Sequence, residues 1–211
     1  MNPSVASLLK RYPVLEDIAP ALEQAVELLI GCAAHGGKIL TAGNGGSAAD
    51  ADHITGELLK GFMKKRPLPP ELKQAFADTA MAGAEELAHS LQMGIPAVNL
   101  GNAQALVSAF GNDVNPQAAF AQHLWALARP GDVFIGISTG GNAENIRLAL
   151  IAARAAKVKS ILLTGNKNGV CVNYADTVIA APADQTYRIQ ELHLPIYHML
   201  CMAVEEALYG E

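Results

Sequence analysis

The chain has 211 residues, 51% hydrophobic and 17% charged, enough for one well-filled α/β domain and too few for two comfortable ones. Its net charge of −5 argues against a broad nucleic-acid-binding surface, which needs clustered Lys and Arg, and no apolar run reaches the ~18 residues expected of a membrane span. The first residues lack the basic-then-apolar profile of a secretory signal, and Cys32, Cys171 and Cys201 form no CxxC pair, so a cytoplasmic protein with buried thiols is expected.

Residues up to about 35 are expected to be helical, with 15–34 apolar at helical spacing and Gly36-Gly37 as the stop. Residues 38–42 read as a strand feeding the small-residue turn Asn44-Gly45-Gly46-Ser47, and 47–62 as a helix. Residues 64–71 are a proline-rich basic loop; the densest basic patch, Lys60, Lys64, Lys65 and Arg66, reads as a solvated turn. The alanine-rich stretch 71–91 predicts one helix, 97–100 a short strand, and 104–110 and 116–128 two helices. Residues 132–137 are a buried strand ending in Ser138-Thr139-Gly140-Gly141-Asn142, followed by a helix over 143–155. A strand at 160–164 ends at Gly165-Asn166, a weaker one spans 176–180, and a long helix over 187–208 closes the chain with Pro195 inside it, where a kink is expected.

Strands alternating with helices imply βαβ units, a parallel sheet and right-handed crossovers. In such sheets ligands bind at the carboxyl ends of the strands, where the AGNGGS, GISTGGN and LTGNKNG turns lie. Turns of this kind bring backbone N–H groups and hydroxyls to a helix N-terminus, a setting for phosphate. Each turn alone is weak evidence, because glycine-rich βα turns are common; two or three together are stronger. GxGxxG is not met cleanly, since Ala48 takes the last glycine position, and GxxxxGK[ST] is absent.

His53 and Glu57 are four residues apart, on one helix face that starts at the first of these turns. An ion pair on the helix surface is the ordinary explanation; adjacency to a phosphate turn favours a site. Asp50 and Asp52 lie nearby, with Asp52 expected to face away. In RIQELHLPIYH, Gln190 and His198 lie within ~80° on the helical wheel, with His193 between them. His35, His89 and His123 read as ordinary loop or surface residues.

These motifs together resemble the sugar isomerase (SIS) domain, and within it the phosphoheptose isomerases. The resemblance rests on AGNGGSAADADH with ITGELLKGF, GISTGGNAENI, LTGNKNG and RIQELHLPIYH, and spans most of the chain. It implies a single domain over 1–211, a three-layer α-β-α sandwich with a five-stranded parallel, flavodoxin-like sheet. It also implies a homotetramer with sites at subunit interfaces. The implied reaction is aldose–ketose isomerisation of sedoheptulose 7-phosphate through an enediol(ate). Glu57 and His198 match the catalytic positions. His53, Glu57, Gln190 and His198 match the zinc-binding positions of metal-containing members. Asn44, Gly45, Gly46, Ser47, Ser138, Thr139 and Gln190 match substrate and phosphate positions.

The chain departs from the family pattern at Gly61, where an arginine is usual and Lys60 or Lys64 would have to substitute. It departs again at Gly140 and Ala143, where serines are usual. Residues 64–96 are longer than usual, suggesting a lid or an interface. The rival readings are an SIS isomerase for another sugar phosphate, a sugar-phosphate-sensing regulator, and a non-catalytic relative that binds a replication initiator. The last has lost the glutamate and histidine that this chain keeps as Glu57 and His198.

Overall fold

A computed structural model describes residues 1–167 and 169–210; Asn168 of LTGNKNG lies outside the described residues. The elements are α1 (Pro3–Arg11), a 3-10 segment (Pro13–Ile18), α2 (Ala19–Ala34), β1 (Ile39–Ala42), α3 (Gly46–Leu59), α4 (Pro70–Ala77), α5 (Ala84–Ser90), β2 (Ala97–Asn99), α6 (Gln104–Asp113), α7 (Ala119–Leu127), β3 (Val133–Ile137), α8 (Glu144–Ala155), β4 (Lys159–Gly165), β5 (Thr177–Ala181) and α9 (Thr186–Tyr209).

The strands form one five-stranded sheet in the order β2-β1-β3-β4-β5, every pair parallel. Parallel strands need crossovers that cover both faces, so they read as continuous apolar runs. Side chains then alternate between layers. Ile39, Val133, Ile135, Ile161, Leu163 and Ile179 pack with α1, α2, α3 and α9. Leu40, Phe134 and Leu162 pack with α7 and α8 on the other face. After β1 the chain first adds β2 on one side and then β3 on the other. The order therefore reverses between β1 and β3, and their carboxyl ends form a crevice there.

Three expectations are corrected. The stretch 71–91 is two short helices, α4 and α5, separated by a turn with Ala80 at φ 53° and Gly83 at φ 81°. α4 buries no residue and α5 only Ala88, so neither has the packed stripe that sustains a long helix. The helix expected to reach residue 62 ends at Leu59, with Lys60 extended. Glu205 on α9 competes for its continuation, accepting the N–H groups of Phe62 (2.8 Å), Met63 (2.7 Å) and Lys64 (3.1 Å).

The basic cluster is likewise not simply a solvated turn. Arg66 is buried, donating from Nε to Glu205 Oε1 at 2.8 Å and from Nη1 to the Leu58 carbonyl at 2.9 Å. Its Nη2 lies 2.7 Å from Glu205 Oε1, and its guanidinium covers the Tyr209 ring at 5.0 Å. A sequence cluster of four cations hides one that belongs to the core because its carboxylate partner is distant in the chain. α9 runs through Pro195, which is buried within it.

Candidate active site

The first turn follows from two glycines. A methyl group on Gly43 would lie 2.2 Å from the Ser47 carbonyl oxygen, and Gly45 sits at φ 55°. The chain thus folds back tightly and starts α3 at Gly46. α3 has no side-chain cap and no acidic residue in its first turn, so the positive end of its dipole is left uncompensated. Ser47 is buried, and its N–H closes the turn onto the Asn44 carbonyl at 3.0 Å. Gly43→Ala places a methyl group against backbone that cannot yield. The expected outcome is a raised KM for a phosphorylated substrate and a lowered Tm, checked by steady-state kinetics and thermal melts.

The second turn joins β3 to α8. Ser138 is buried and its Oγ accepts the Ala143 N–H at 3.4 Å; Thr139 is half-buried. The third turn is stitched to it. The Gly165 N–H donates to the Thr139 carbonyl (3.0 Å) and the Cys171 N–H to that of Gly141 (2.8 Å). The first and second turns are joined by a reciprocal amide pair, Asn44 Nδ2 to Asn145 Oδ1 at 2.9 Å and Asn145 Nδ2 to Asn44 Oδ1 at 2.8 Å. At α8, Glu144 stands in the first turn and is paired with Arg147 at 2.6 Å, so the anion-favouring end here is that of α3.

α9 supplies the facing wall. Gln190 reaches the first turn: a methyl group on Gly46 would lie 2.3 Å from its Nε2. His198 Nε2 lies 3.5 Å from His53 Nε2, with the two rings edge to face at 4.9 Å. His53 Nε2 lies 3.3 Å from Glu57 Oε1, and Lys60 Nζ holds Glu57 Oε2 at 2.9 Å. Burial, followed by the neighbouring His53, holds the His198 imidazole below its ordinary pKa against the pull of Glu57. A hollow lined by Arg11, Tyr12, Phe62, Leu194 and Met202 opens beside His198. A roomier hollow lies between α4 and α5, lined by Ala77, Met81 and Glu86, and holds none of these side chains.

The structure therefore brings His53, Glu57 and His198 together and places Gln190 at the first turn. Ser138 and Thr139 stand in the second turn, which the asparagine pair joins to the first. Lys60 is engaged by Glu57, and Lys64 by Glu206 at 2.9 Å. Asp52 turns to the end of β2, where Asn102 Nδ2 donates to it at 2.7 Å. His193 is fully buried, its Nε2 donating to the Thr164 carbonyl at 3.1 Å, and burial pushes its pKa down; it ties α9 to β4.

Two imidazoles and a carboxylate are donors that zinc accepts, while the Gln190 amide is placed against Gly46. The 3.3 and 3.5 Å separations match ligand pairs around a tetrahedral ion with bonds of ~2.0–2.1 Å. Among the described residues, however, no three His, Cys, Asp or Glu side chains are grouped so that they could hold a metal ion; the two close contacts share His53.

Sequence reasoning missed Asn145, the Arg66–Glu205 pair and Tyr197. Tyr197 is buried, with its hydroxyl 3.0 Å from His53 Nδ1. Burial, and then the Asp50 charge, push that hydroxyl well above its ordinary pKa. The available signal was the periodicity of α9, which turns residue 197 inward when residue 198 faces the site.

Comparison with known proteins agrees with this architecture. Two models described as SIS domain match residues 3–86 and 97–203. The chain is 35% identical to the phosphoheptose isomerase of Geotalea daltonii over 93% of this chain and 88% of that one. It is 36% identical to that of Thiobacillus denitrificans, over 97% and 92%. Among solved structures, the phosphoheptose isomerase of Neisseria gonorrhoeae superposes with a TM-score of 0.74 at 30% identity, covering 95% of this chain and 94% of that one. The Francisella tularensis enzyme gives 0.76 at 29% identity, covering 95% and 93%. Identity of 35% and 36% to these isomerases over 93% and 97% of the chain, with two SIS-domain matches and the shared fold, places the chain in the phosphoheptose isomerase family of SIS-domain proteins.

Proposed function

We propose that the chain is an aldose–ketose isomerase that converts sedoheptulose 7-phosphate to D-glycero-D-manno-heptose 7-phosphate. The observation that carries this reading is Glu57, set between His53 and Lys60 beside His198, one helix length from the uncapped N-terminus of α3. Asn44, Gly45, Gly46 and Ser47, with Ser138 and Thr139, hold the phosphate, and Gln190 orients the sugar against the first turn. Glu57 moves a proton between C1 and C2. His198, kept neutral near pH 7 by burial, exchanges a proton with the ring or carbonyl oxygen. His53, Glu57, Gln190 and His198 would hold zinc, which when bound supplies positive charge to stabilise the enediolate oxygens.

We read the whole chain as one SIS domain with an insertion at about 64–96. In this reading it works in the cytoplasm as a homotetramer with sites at subunit contacts, and has no nucleic-acid or membrane partner. Exposed Leu59, Met63, Leu72, Met81 and Leu87 around the insertion support subunit contacts there. Among the described residues no helix is long and apolar enough to cross a membrane.

The test is an isomerisation assay on sedoheptulose 7-phosphate with added Zn²⁺ and with chelator. Turnover is expected with Zn²⁺ and its loss with chelator, reversed by readdition. Turnover on other ketose phosphates alone would replace the heptose assignment, and full turnover in chelator would remove the metal.

A further inference from the structure

Between the end of α3 at Leu59 and the start of α4 at Pro70 the chain forms no helix or strand. It is nevertheless held at several points. The Phe62, Met63 and Lys64 N–H groups donate to the Glu205 carboxylate, which also accepts from Arg66. The Gly61 N–H donates to Gln92 Oε1 at 2.7 Å, and a methyl group on Gly61 would lie 2.4 Å from the Lys64 carbonyl oxygen. The loop is therefore tightly closed, and its side chains leave it in set directions.

Glu205 and His198 are seven residues apart on α9, so they share a face within ~20°. The loop that Glu205 anchors thus lies along the face that carries His198. The Phe62 ring reaches the imidazole, with centroids 5.3 Å apart and planes at 50°. Two other rings touch His198 edge to face, His53 at 4.9 Å and Tyr197 at 5.1 Å. Those two are tied to each other by the 3.0 Å contact between the Tyr197 hydroxyl and His53 Nδ1.

Hydrogen bonding does little to orient the His198 imidazole. Among the described residues its one such contact is Nε2 to His53 Nε2 at 3.5 Å, longer than an ordinary hydrogen bond. Packing has to hold the ring in one rotamer, and Phe62 is the wall that the loop supplies. Phe62 and His198 both line the hollow bordered by Arg11, Leu194 and Met202, so removing the Phe62 ring opens space for the imidazole to turn into.

We propose that Phe62 is a positioning residue: its ring, set in place by the Glu205-anchored loop, holds the His198 imidazole toward His53 and Glu57. The consequence for turnover rests on the isomerase reading; the rotamer of His198 does not.

Three-bond couplings in NMR of histidine-labelled, metal-free protein read that rotamer, with His198 assigned by its loss in His198→Gln. One rotamer is expected in the wild type and in Phe62→Tyr, which keeps the ring. Averaging between rotamers is expected in Phe62→Leu. It is also expected, well below the Tm, in Glu205→Gln, where the ring is intact and its anchor weakened. In the isomerisation assay kcat of Phe62→Leu should fall ~10–100-fold with KM little changed, as when a reacting group is misplaced by about 1 Å. Phe62→Tyr should restore it. Ser160→Ala removes a buried 2.9 Å bond to Asp176 at the far end of β4. It should lower Tm and leave both the rotamer and kcat unchanged, which separates positioning from general stability.

A wild-type His198 that averages between rotamers would overturn the proposal. So would a folded Phe62→Leu protein that keeps one rotamer or turns over at the wild-type rate. A single rotamer in Glu205→Gln would remove Glu205 from the arrangement. Averaging in Phe62→Leu, from a wild type with no activity on any sugar phosphate, would uphold the positioning and remove the isomerase reading instead.

Discussion

Glu57→Gln is expected to lose nearly all isomerisation while keeping its fold. The amide is the same size and can still accept from Lys60, so the contacts at the end of α3 survive in part. It cannot take a proton from carbon, and it brings no negative charge to the two imidazoles beside it. Removing a general base typically costs on the order of 10²–10⁴-fold in rate. The drop should appear in kcat, with KM for the sugar phosphate changed much less, because the proposed phosphate site is at the turns rather than at Glu57. A kcat within a factor of a few of wild type, in a protein with an unchanged melt, would take the proton-transfer role away from this residue.

Glu205→Ala should be among the most destabilising single substitutions in the chain. Glu205 is 1% exposed and accepts from the N–H groups of three consecutive residues and from the Arg66 guanidinium. Truncating it strands a buried cation, for which about 3–5 kcal/mol is typical when one partner of a buried pair is removed. Glu205→Gln should fall between, since its amide oxygen can still accept part of this set. Thermal or denaturant unfolding measures both.

The same carboxylate predicts a pH dependence. Burial raises its pKa, but the Phe62 and Met63 N–H groups and Arg66 outweigh that and bring it below the ordinary glutamate value. The folded value is thus lower than the unfolded one. Its contribution is fully present above the unfolded value and lost as pH falls through the folded one. The gap in Tm between wild type and Glu205→Gln should therefore begin to narrow as pH falls through the ordinary glutamate value and close only below the lower folded one. A gap unchanged across that range would mean that the carboxylate charge contributes nothing.

Much of this was legible in the chain. The strands announced themselves because a parallel sheet buried on both faces leaves unbroken apolar runs such as residues 133–137, and the small-residue turns marked their carboxyl ends. His53 and Glu57 could be paired because their relation is one turn of one helix. What was hidden depended on partners far apart in sequence. Arg66 looked solvated because Glu205 is 139 residues away, and Asn145 looked ordinary because Asn44 is 101 residues away. The break between α4 and α5 was hidden for a different reason. Helix propensity there is high, and what is missing is a packed surface for a longer helix to lie on.

α9 carries Gln190 at the first turn, His193 on β4, Tyr197 against His53, His198 against His53 and Glu205 under Arg66. From first to last these span about 22 Å at ~1.5 Å per residue, all in one helical phase. Any single position can be exchanged at a local cost. A residue inserted or deleted between 190 and 205 turns everything beyond it by about 100° and uncouples these contacts from one another at once. Length variation among descendants of this chain should therefore be absent from that stretch and concentrate in the turn at 78–83, where the backbone packs against little.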